Sequence, residues 1–402
     1  MTQPITQKST LQVTILSLSL LTVMAGAAMA PALGVIQEHF RNVSQLYVQM
    51  IISVPAIFIV LTNFIFPKLC QRFGAKTLVL AGLLLYTVGG CIAGLFNSIW
   101  MVLIMRALVG VGVGIIMPLS TGLLTFYFPP NALEKLMGYS SAMNQMGGVI
   151  ATLLSGMLAN ISWRVSFFVY ILGLISIVLC LIFLPNDRII KNHEKKSADG
   201  PALSMGQVFK DHSAFILAMF LLMSTFFIYP ANFAMETAAD GLIPQKYIAV
   251  IMASMDFVAF LGGLLFVTCK RICRKQTKFL APVLFLAGYI LLAFVGGWTG
   301  TLSGSVCIGF ANGEGIPYII STASVKMGRL AATTVIPLIS AALYLAQFLS
   351  PMLLSVVRAG FGGLAVSHHL PYCFAVVLAV LLCICSGLIR EDVQQVERVE
   401  RT

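Results

Sequence analysis

Three ionisable residues, Arg106, Asp256 and Glu314, stand inside long apolar stretches where charged groups are costly. Neither Asp256 nor Glu314 has a basic neighbour one helical turn away. An unpaired carboxyl in a low-dielectric setting resists ionisation, which suits it to loading and releasing a proton near physiological pH. Glu314 also lies among Asn312, Gly313, Gly315 and Pro317, a run expected to bend or unwind a helix and free backbone carbonyls. Arg106, Gly110 and Gly114 recur every four residues, so they share one helix face, with the glycines permitting close approach and the guanidinium turned inward. The chemistry expected of this trio is proton coupling. The static alternative is a set of permanent cross-helix hydrogen bonds, with Arg106 as a clamp.

Further polar residues recur at helical spacing and are candidates to line a substrate cavity. They are Thr225, Tyr229, Asn232 and Glu236 in one stretch and Ser340, Tyr344 and Gln347 in another, with Asn63 and Asn144 adding amides in the first half. Methionine and phenylalanine are abundant, 19 and 27 residues, and suit a pliable, mostly apolar pocket. The plainer reading of each polar residue is an interhelical hydrogen bond.

The elements that must carry these residues follow from hydropathy. Of the 402 residues, 59% are hydrophobic and 10% charged, and mean hydropathy is +0.95, which no ordinary soluble domain matches. Twelve apolar stretches are long enough to cross a bilayer: 12–34, 45–67, 77–96, 99–126, 137–160, 164–185, 213–235, 246–268, 279–297, 301–324, 331–356 and 371–389. Without polar alternation they read as helices, so the expected fold class is an all-α integral membrane protein of twelve transmembrane helices in two pseudo-symmetric six-helix bundles. Ala28-Met29-Ala30 looks like a cleavage site, but Pro31 follows and the apolar run continues, so the first stretch is expected to be a retained helix.

Lysine and arginine set the expected orientation. One set of alternate loops plus both tails holds 20 of the 25, whereas the opposite side holds Arg41, Arg164, Lys246 and Arg358. Both termini are therefore expected in the cytoplasm of a cell whose inner membrane the chain spans. The polar segment between the sixth and seventh stretches divides the chain into an N-terminal bundle (1–186), a cytoplasmic linker (187–211) and a C-terminal bundle with a short tail (212–402). The halves echo each other. A basic loop follows the second and eighth stretches, and the glycine-rich fourth (Gly110, Gly112, Gly114, Pro118) matches the tenth (Gly309, Gly313, Gly315, Pro317), which sets Glu314 opposite Val113. Such duplication suits two bundles rocking around a central site.

Several classes are set aside. The net charge of +11 resides in loops and answers to topology, so no nucleic-acid partner is expected. The nine cysteines read as free thiols, and the Cys269/Cys273 pair lacks a histidine, so neither a metal nor a cofactor is expected. No phosphate-binding Gly-x-x-x-x-Gly-Lys-Ser/Thr loop and no Gly-x-Ser-x-Gly elbow occurs, which argues against an ATP-driven pump or an enzyme. His368 and His369 read as an exposed loop pair.

The loop Pro67-Lys68-Leu69-Cys70-Gln71-Arg72-Phe73-Gly74-Ala75-Lys76 resembles the signature between helices two and three of the major facilitator superfamily. Arg72, Gly74 and Lys76 match it, while Pro67 replaces its leading glycine and Gln71 its acid. Arg106 with Gly110 and Gly114 resembles the family's proton-coupling motif. The fifth stretch, with Ser141, Gln145, Gly148, Thr152, Ser155, Gly156 and then Trp163-Arg164, is similar to the antiporter helix, although Ala151-Thr152 stands where that motif has glycine-proline. The resemblance runs over essentially the whole chain and is nearest to the twelve-helix bacterial drug:proton antiporters. It implies gating by Arg72, Gly74 and Lys76, proton coupling through Glu314, Asp256 and Arg106, and efflux of a small amphipathic or apolar compound by a monomer. A symporter or facilitator importing a metabolite is the alternative, and a non-transporting receptor a third.

Overall fold

A computed structural model of the chain describes residues 5–185, 205–241, 243–327, 336–360 and 369–389. All regular structure among them is helical. The first half contains α1 (Ile5–Ala27), a 3-10 turn (Ala30–Ala32) leading into α2 (Leu33–His39), α3 (Gln45–Arg72), α4 (Ala75–Ile92), α5 (Ile99–Tyr127), α6 (Pro130–Ala159) and α7 (Gly173–Phe183), the last preceded by a 3-10 segment (Val165–Leu172). The second contains α8 (Met205–Asp240), α9 (Gln245–Cys273), α10 (Thr277–Ile290), α11 (Gly297–Met327), α12 (Ile336–Gly360) and α13 (Leu370–Leu388). Helix therefore occurs wherever a crossing is expected. The expected linker lies mostly outside the described residues, as does His368, but α8 begins at Met205, so the linker's last residues are already helical.

Nine stretches among the described residues have the length and apolarity to cross a membrane, and one of them, Gln245–Val295, contains both α9 and α10. Neither α6 nor α11 is among these stretches. Both are rich in glycine, serine and amide side chains, and they carry Asn144 and Glu314. Large apolar side chains such as Phe64, at 73% exposure, stand outward on many helices, as lipid-facing surfaces do.

The chain forms two compact units, one of residues 1–200 with 233–253 and the other of 201–232 with 254–402. In the first, α5 packs along α3 and α4, and α1 along α6. The missing side chains of Gly110 and Gly114 let α5 meet the Pro55 backbone and the Thr62 side chain of α3, and Gly89 brings α4 onto the Met105 carbonyl and Leu108. The second unit repeats the pattern. Gly309 and Gly313 bring α11 against Met255 and Ala259 of α9, and Gly288 brings α10 onto the Gly304 carbonyl and Cys307. Small residues at crossings are how helices associate in lipid, where no water-driven force acts between them. At Gly296 and Gly297 the backbone takes φ values of +60° and +58°, which glycine adopts freely, and this turns the chain into α11.

These contacts correct the internal alignment. Gly110 corresponds to Gly309 and Gly114 to Gly313, because each pair makes the equivalent crossing. Glu314 therefore stands opposite Ile115, not Val113 as the sequence spacing suggests, and Arg106 stands opposite Ser305. The reason for the slip is that Gly112 packs on the other side of α5, against Gly82 and Tyr86 of α4.

Candidate functional site

Arg106 is 0% exposed. Its Nε donates to the Ile51 carbonyl at 2.6 Å, its Nη2 to the Ala25 carbonyl at 2.5 Å, and its Nη1 to the Tyr170 hydroxyl. Tyr170 in turn donates to the Ala25 carbonyl at 3.0 Å. Both carbonyls are available for definite reasons. Four residues after Ile51 is Pro55, which has no N–H to offer it. Ala25 lies in the last turn of α1, which stops at Ala27. The guanidinium thus sits among backbone dipoles and a phenol, with its carbon 5.3 Å from the Tyr170 ring centroid. The Tyr86 ring meets Tyr170 edge-on at 5.2 Å. Gly90 makes room for that Tyr170 ring, which a side chain there would strike.

The equivalent place in the second unit is built differently. Met255 stands where Pro55 does and keeps its N–H, so no carbonyl is released, and Ser305 replaces the arginine. Ser305 Oγ and the Tyr229 hydroxyl are hydrogen-bonded at 2.7 Å, and Asp256 is near enough for its charge to act on Tyr229. Tyr289, at the position equivalent to Gly90, donates to the Thr225 carbonyl at 2.6 Å. The hydroxyl that caps a carbonyl inside each unit therefore comes from different helices. Ser305 and Tyr289 escaped the sequence reading, and only the repeat, once in register, points to them.

Glu314 on α11 is 1% exposed, and neither carboxylate oxygen has a hydrogen-bond partner among the described residues. Gly313 and Gly315 beside it are held against Ala259 of α9 and Leu222 of α8. Asp256 follows Met255, which Gly309 meets, and Glu314 follows Gly313, which meets Ala259, so the two candidate carboxyls stand one to two helical turns apart along the crossing of α9 and α11.

The remaining candidates are dispersed. The Asn144 amide oxygen accepts from Thr22 at 2.7 Å, and Ser19 and Ser140 bond at 2.7 Å one turn away, forming a polar seam between α1 and α6. Gly147 brings α6 onto the Leu20 backbone in that seam. The seam is thus carried by Ser140, Asn144 and Gly147, one residue off the stripe of Ser141, Gln145 and Gly148 singled out from the sequence. Asn63 stands on the exposed face of α3. Asn232 donates to the Ile228 carbonyl at 2.9 Å and accepts from Arg358 at 3.4 Å. Tyr344 and Gln347 share a face of α12 with Ser350, which reaches the Ser224 carbonyl at 3.3 Å. Arg72 closes α3 and is exposed, and Gly74 precedes α4 with a φ of −72°, which any residue adopts. Lys76 donates to the Leu181 carbonyl at 2.7 Å, in the last turn of α7, where a cation complements the helix dipole.

Relatives match up to half of the chain at about a quarter identity over the aligned stretches. Multidrug resistance protein 3 of Bacillus subtilis is 25% identical over 218 residues, which is 50% of this chain and 42% of that protein. Riboflavin transporter RibZ of Clostridioides difficile is 26% identical over 40% of this chain and 35% of its own. Quinolone resistance protein NorA of Staphylococcus aureus is 26% identical over 30% and 31%. The matched stretches span less than half the length of these relatives. In three dimensions the chain is similar to the nucleoside transporter NupG, with a TM-score of 0.73 at 14% identity over 94% of this chain and all of that one. It is also similar to a bacterial homologue of the human lysosomal transporter Spinster, with a TM-score of 0.72 at 15% identity over 96% and 97%. Helices crossing on paired glycines, the recurrence of those crossings in both units, and a sequence model matching residues 15–351 lead to one assignment: the chain belongs to the Major Facilitator Superfamily.

Proposed function

We propose that the chain is a proton-coupled secondary transporter that exports a small amphipathic or apolar compound by alternating access. The observation that carries this reading is the Glu314 carboxyl, buried and without a hydrogen-bond partner among the described residues, in a helix that glycines and Pro317 allow to flex. A charge left so is strongly disfavoured, so protonation and ionisation must alternate as the surroundings close and open. Asp256, whose charge acts on Tyr229, serves as a second proton-linked carboxyl. Arg106 supplies a fixed cation in the first unit. Asn63, Asn144, Tyr229, Asn232, Tyr344 and Gln347 contact substrate during the cycle, and Arg72, Gly74 and Lys76 act at the gate on the basic side. The working unit is a monomer of two six-helix bundles joined by the 187–211 linker, in the cytoplasmic membrane with both termini inside. Relatives named for multidrug and quinolone resistance support export.

The test is Glu314→Gln in proteoliposomes with an imposed proton gradient and rhodamine 6G as the amphipathic probe. Gradient-driven flux should be lost while probe exchange without a gradient persists, and unchanged gradient-driven flux overturns the assignment. Transport of a metabolite by import is the second reading, a relative being named as a riboflavin transporter. Export lowers whole-cell accumulation and import raises it, with an uncoupler abolishing either difference.

A further inference from the structure

The turn that joins α9 to α10 carries five cations in nine residues. Lys270 and Arg271 lie in the last turn of α9, Arg274 and Lys275 in the 3-10 turn that follows, and Lys278 in the first turn of α10. Among the described residues none of the five pairs with an acid. Lys278 is engaged, because its Nζ donates to the Ile389 carbonyl at 3.5 Å, as Lys76 donates to the Leu181 carbonyl in the first unit. The other four have no counterpart there. In the register that sets Met255 opposite Pro55, Lys270 and Arg271 stand opposite Cys70 and Gln71, and α3 is joined to α4 by the uncharged pair Phe73-Gly74.

Two features distinguish this turn from a basic loop that only sets topology. Arg274 has a φ of +49° and is the one non-glycine residue in the left-handed region among the described residues. Glycine adopts that conformation freely, so a guanidinium stands there at a conformational cost. The Thr277 hydroxyl donates to the Arg274 carbonyl at 2.7 Å and fixes the turn. Ile272, between the two basic pairs, is 74% exposed and continues the outward apolar stripe of Phe257, Leu261 and Leu264 at helical spacing. Lipid-facing surface therefore runs into the last turn of α9, with the four cations around its end.

We propose that this turn binds an anionic phospholipid, with the phosphate held by Lys270, Arg271, Arg274 and Lys275 and an acyl chain lying along Ile272 and Leu264. Cations at the edge of the hydrocarbon attract acidic headgroups, and arginine holds a phosphate with paired N–H donors. Lys270 keeps to that edge, its ammonium 6.0 Å from the Phe266 ring centroid. A soluble anion would make no use of Ile272, which is why the ligand is a lipid. The inference is independent of the proton-coupling reading.

Native mass spectrometry of the purified full chain, titrated with phosphatidylglycerol or with phosphatidylcholine of the same chains, tests it. Phosphatidylglycerol should be retained and phosphatidylcholine should not. Each of the four cations replaced by glutamine should weaken binding about fivefold, so the quadruple variant should retain no lipid. Arg274→Gly should bind about fivefold more weakly while melting no lower than the parent protein without lipid, since glycine suits the left-handed turn. That variant decides even where the quadruple one does not fold. Equal retention of phosphatidylcholine or an unchanged affinity in Arg274→Gly overturns the inference. Displacement of the lipid by millimolar inorganic phosphate also overturns it, by assigning the turn to a soluble anion.

Discussion

Arg106 Nε sits 2.6 Å from the carbonyl of Ile51, the one acceptor in α3 that Pro55 deprives of its helical N–H. A buried cation and a helix-breaking residue are each costly in lipid, and here each supplies what the other lacks. The second repeat has neither partner. Met255 replaces the proline and Ser305 the arginine, which is why a hydroxyl pair occupies a place where a charge would have no acceptor.

Removing the guanidinium should therefore cost stability. Arg106→Ala leaves two carbonyls and the Tyr170 hydroxyl without their charged donor, a loss of about 3 kcal/mol or more, read as a lower thermal unfolding temperature in detergent. Pro55→Ala in that background returns an N–H to Ile51 and should recover about 1 kcal/mol. Strictly additive effects of the two changes would sink the pairing.

The glycine crossings predict which positions tolerate a side chain. A Cβ at Gly110 would meet the Pro55 backbone, and one at Gly309 the Met255 carbonyl, whereas one at Gly122 would have nothing within 4 Å beyond its own stretch of helix. Gly110→Val and Gly309→Val should fail to yield folded protein. Gly122→Ala, inside α5, should be neutral or gain up to about 1 kcal/mol. Size-exclusion profiles and melting curves decide, and a well-folded Gly110→Val protein contradicts the repeat register.

Tyr229 and Ser305 should couple. Tyr229→Phe and Ser305→Ala each break the same 2.7 Å hydrogen bond, so the double variant should be less destabilised than the sum by about 0.5–1.5 kcal/mol. A zero interaction energy in the unfolding cycle would mean that the hydroxyls do not depend on each other.

The sequence made some of this legible and hid the rest for physical reasons. Helices and buried charges are written in hydropathy, and Arg106, Asp256 and Glu314 stand out because ionisable groups are scarce there. The partners of Arg106 are backbone carbonyls, which have no side-chain signature, although Pro55 four residues after Ile51 is a trace of one. Ser305 and Tyr289 look like ordinary residues until Gly110 and Gly309 are set in register. On α6, periodicity alone does not tell which of two adjacent stripes, Ser140, Asn144 and Gly147 or Ser141, Gln145 and Gly148, meets α1.

The last prediction concerns the two acids. Gly309 meets Met255 and Gly313 meets Ala259, so Glu314 stands one to two helical turns beyond the level of Asp256, roughly 10 Å away. Across such a distance at an effective dielectric of about 20, one charge moves another's titration by about one pH unit. Dicyclohexylcarbodiimide labels protonated carboxyls, so Asp256→Asn, by removing a neighbouring negative charge, should lower by about one unit the pH at which labelling of Glu314 in liposomes, read by mass spectrometry, is half complete. A half-labelling point that does not move would mean that the two carboxyls titrate independently, and their joint part in proton coupling would have to be abandoned.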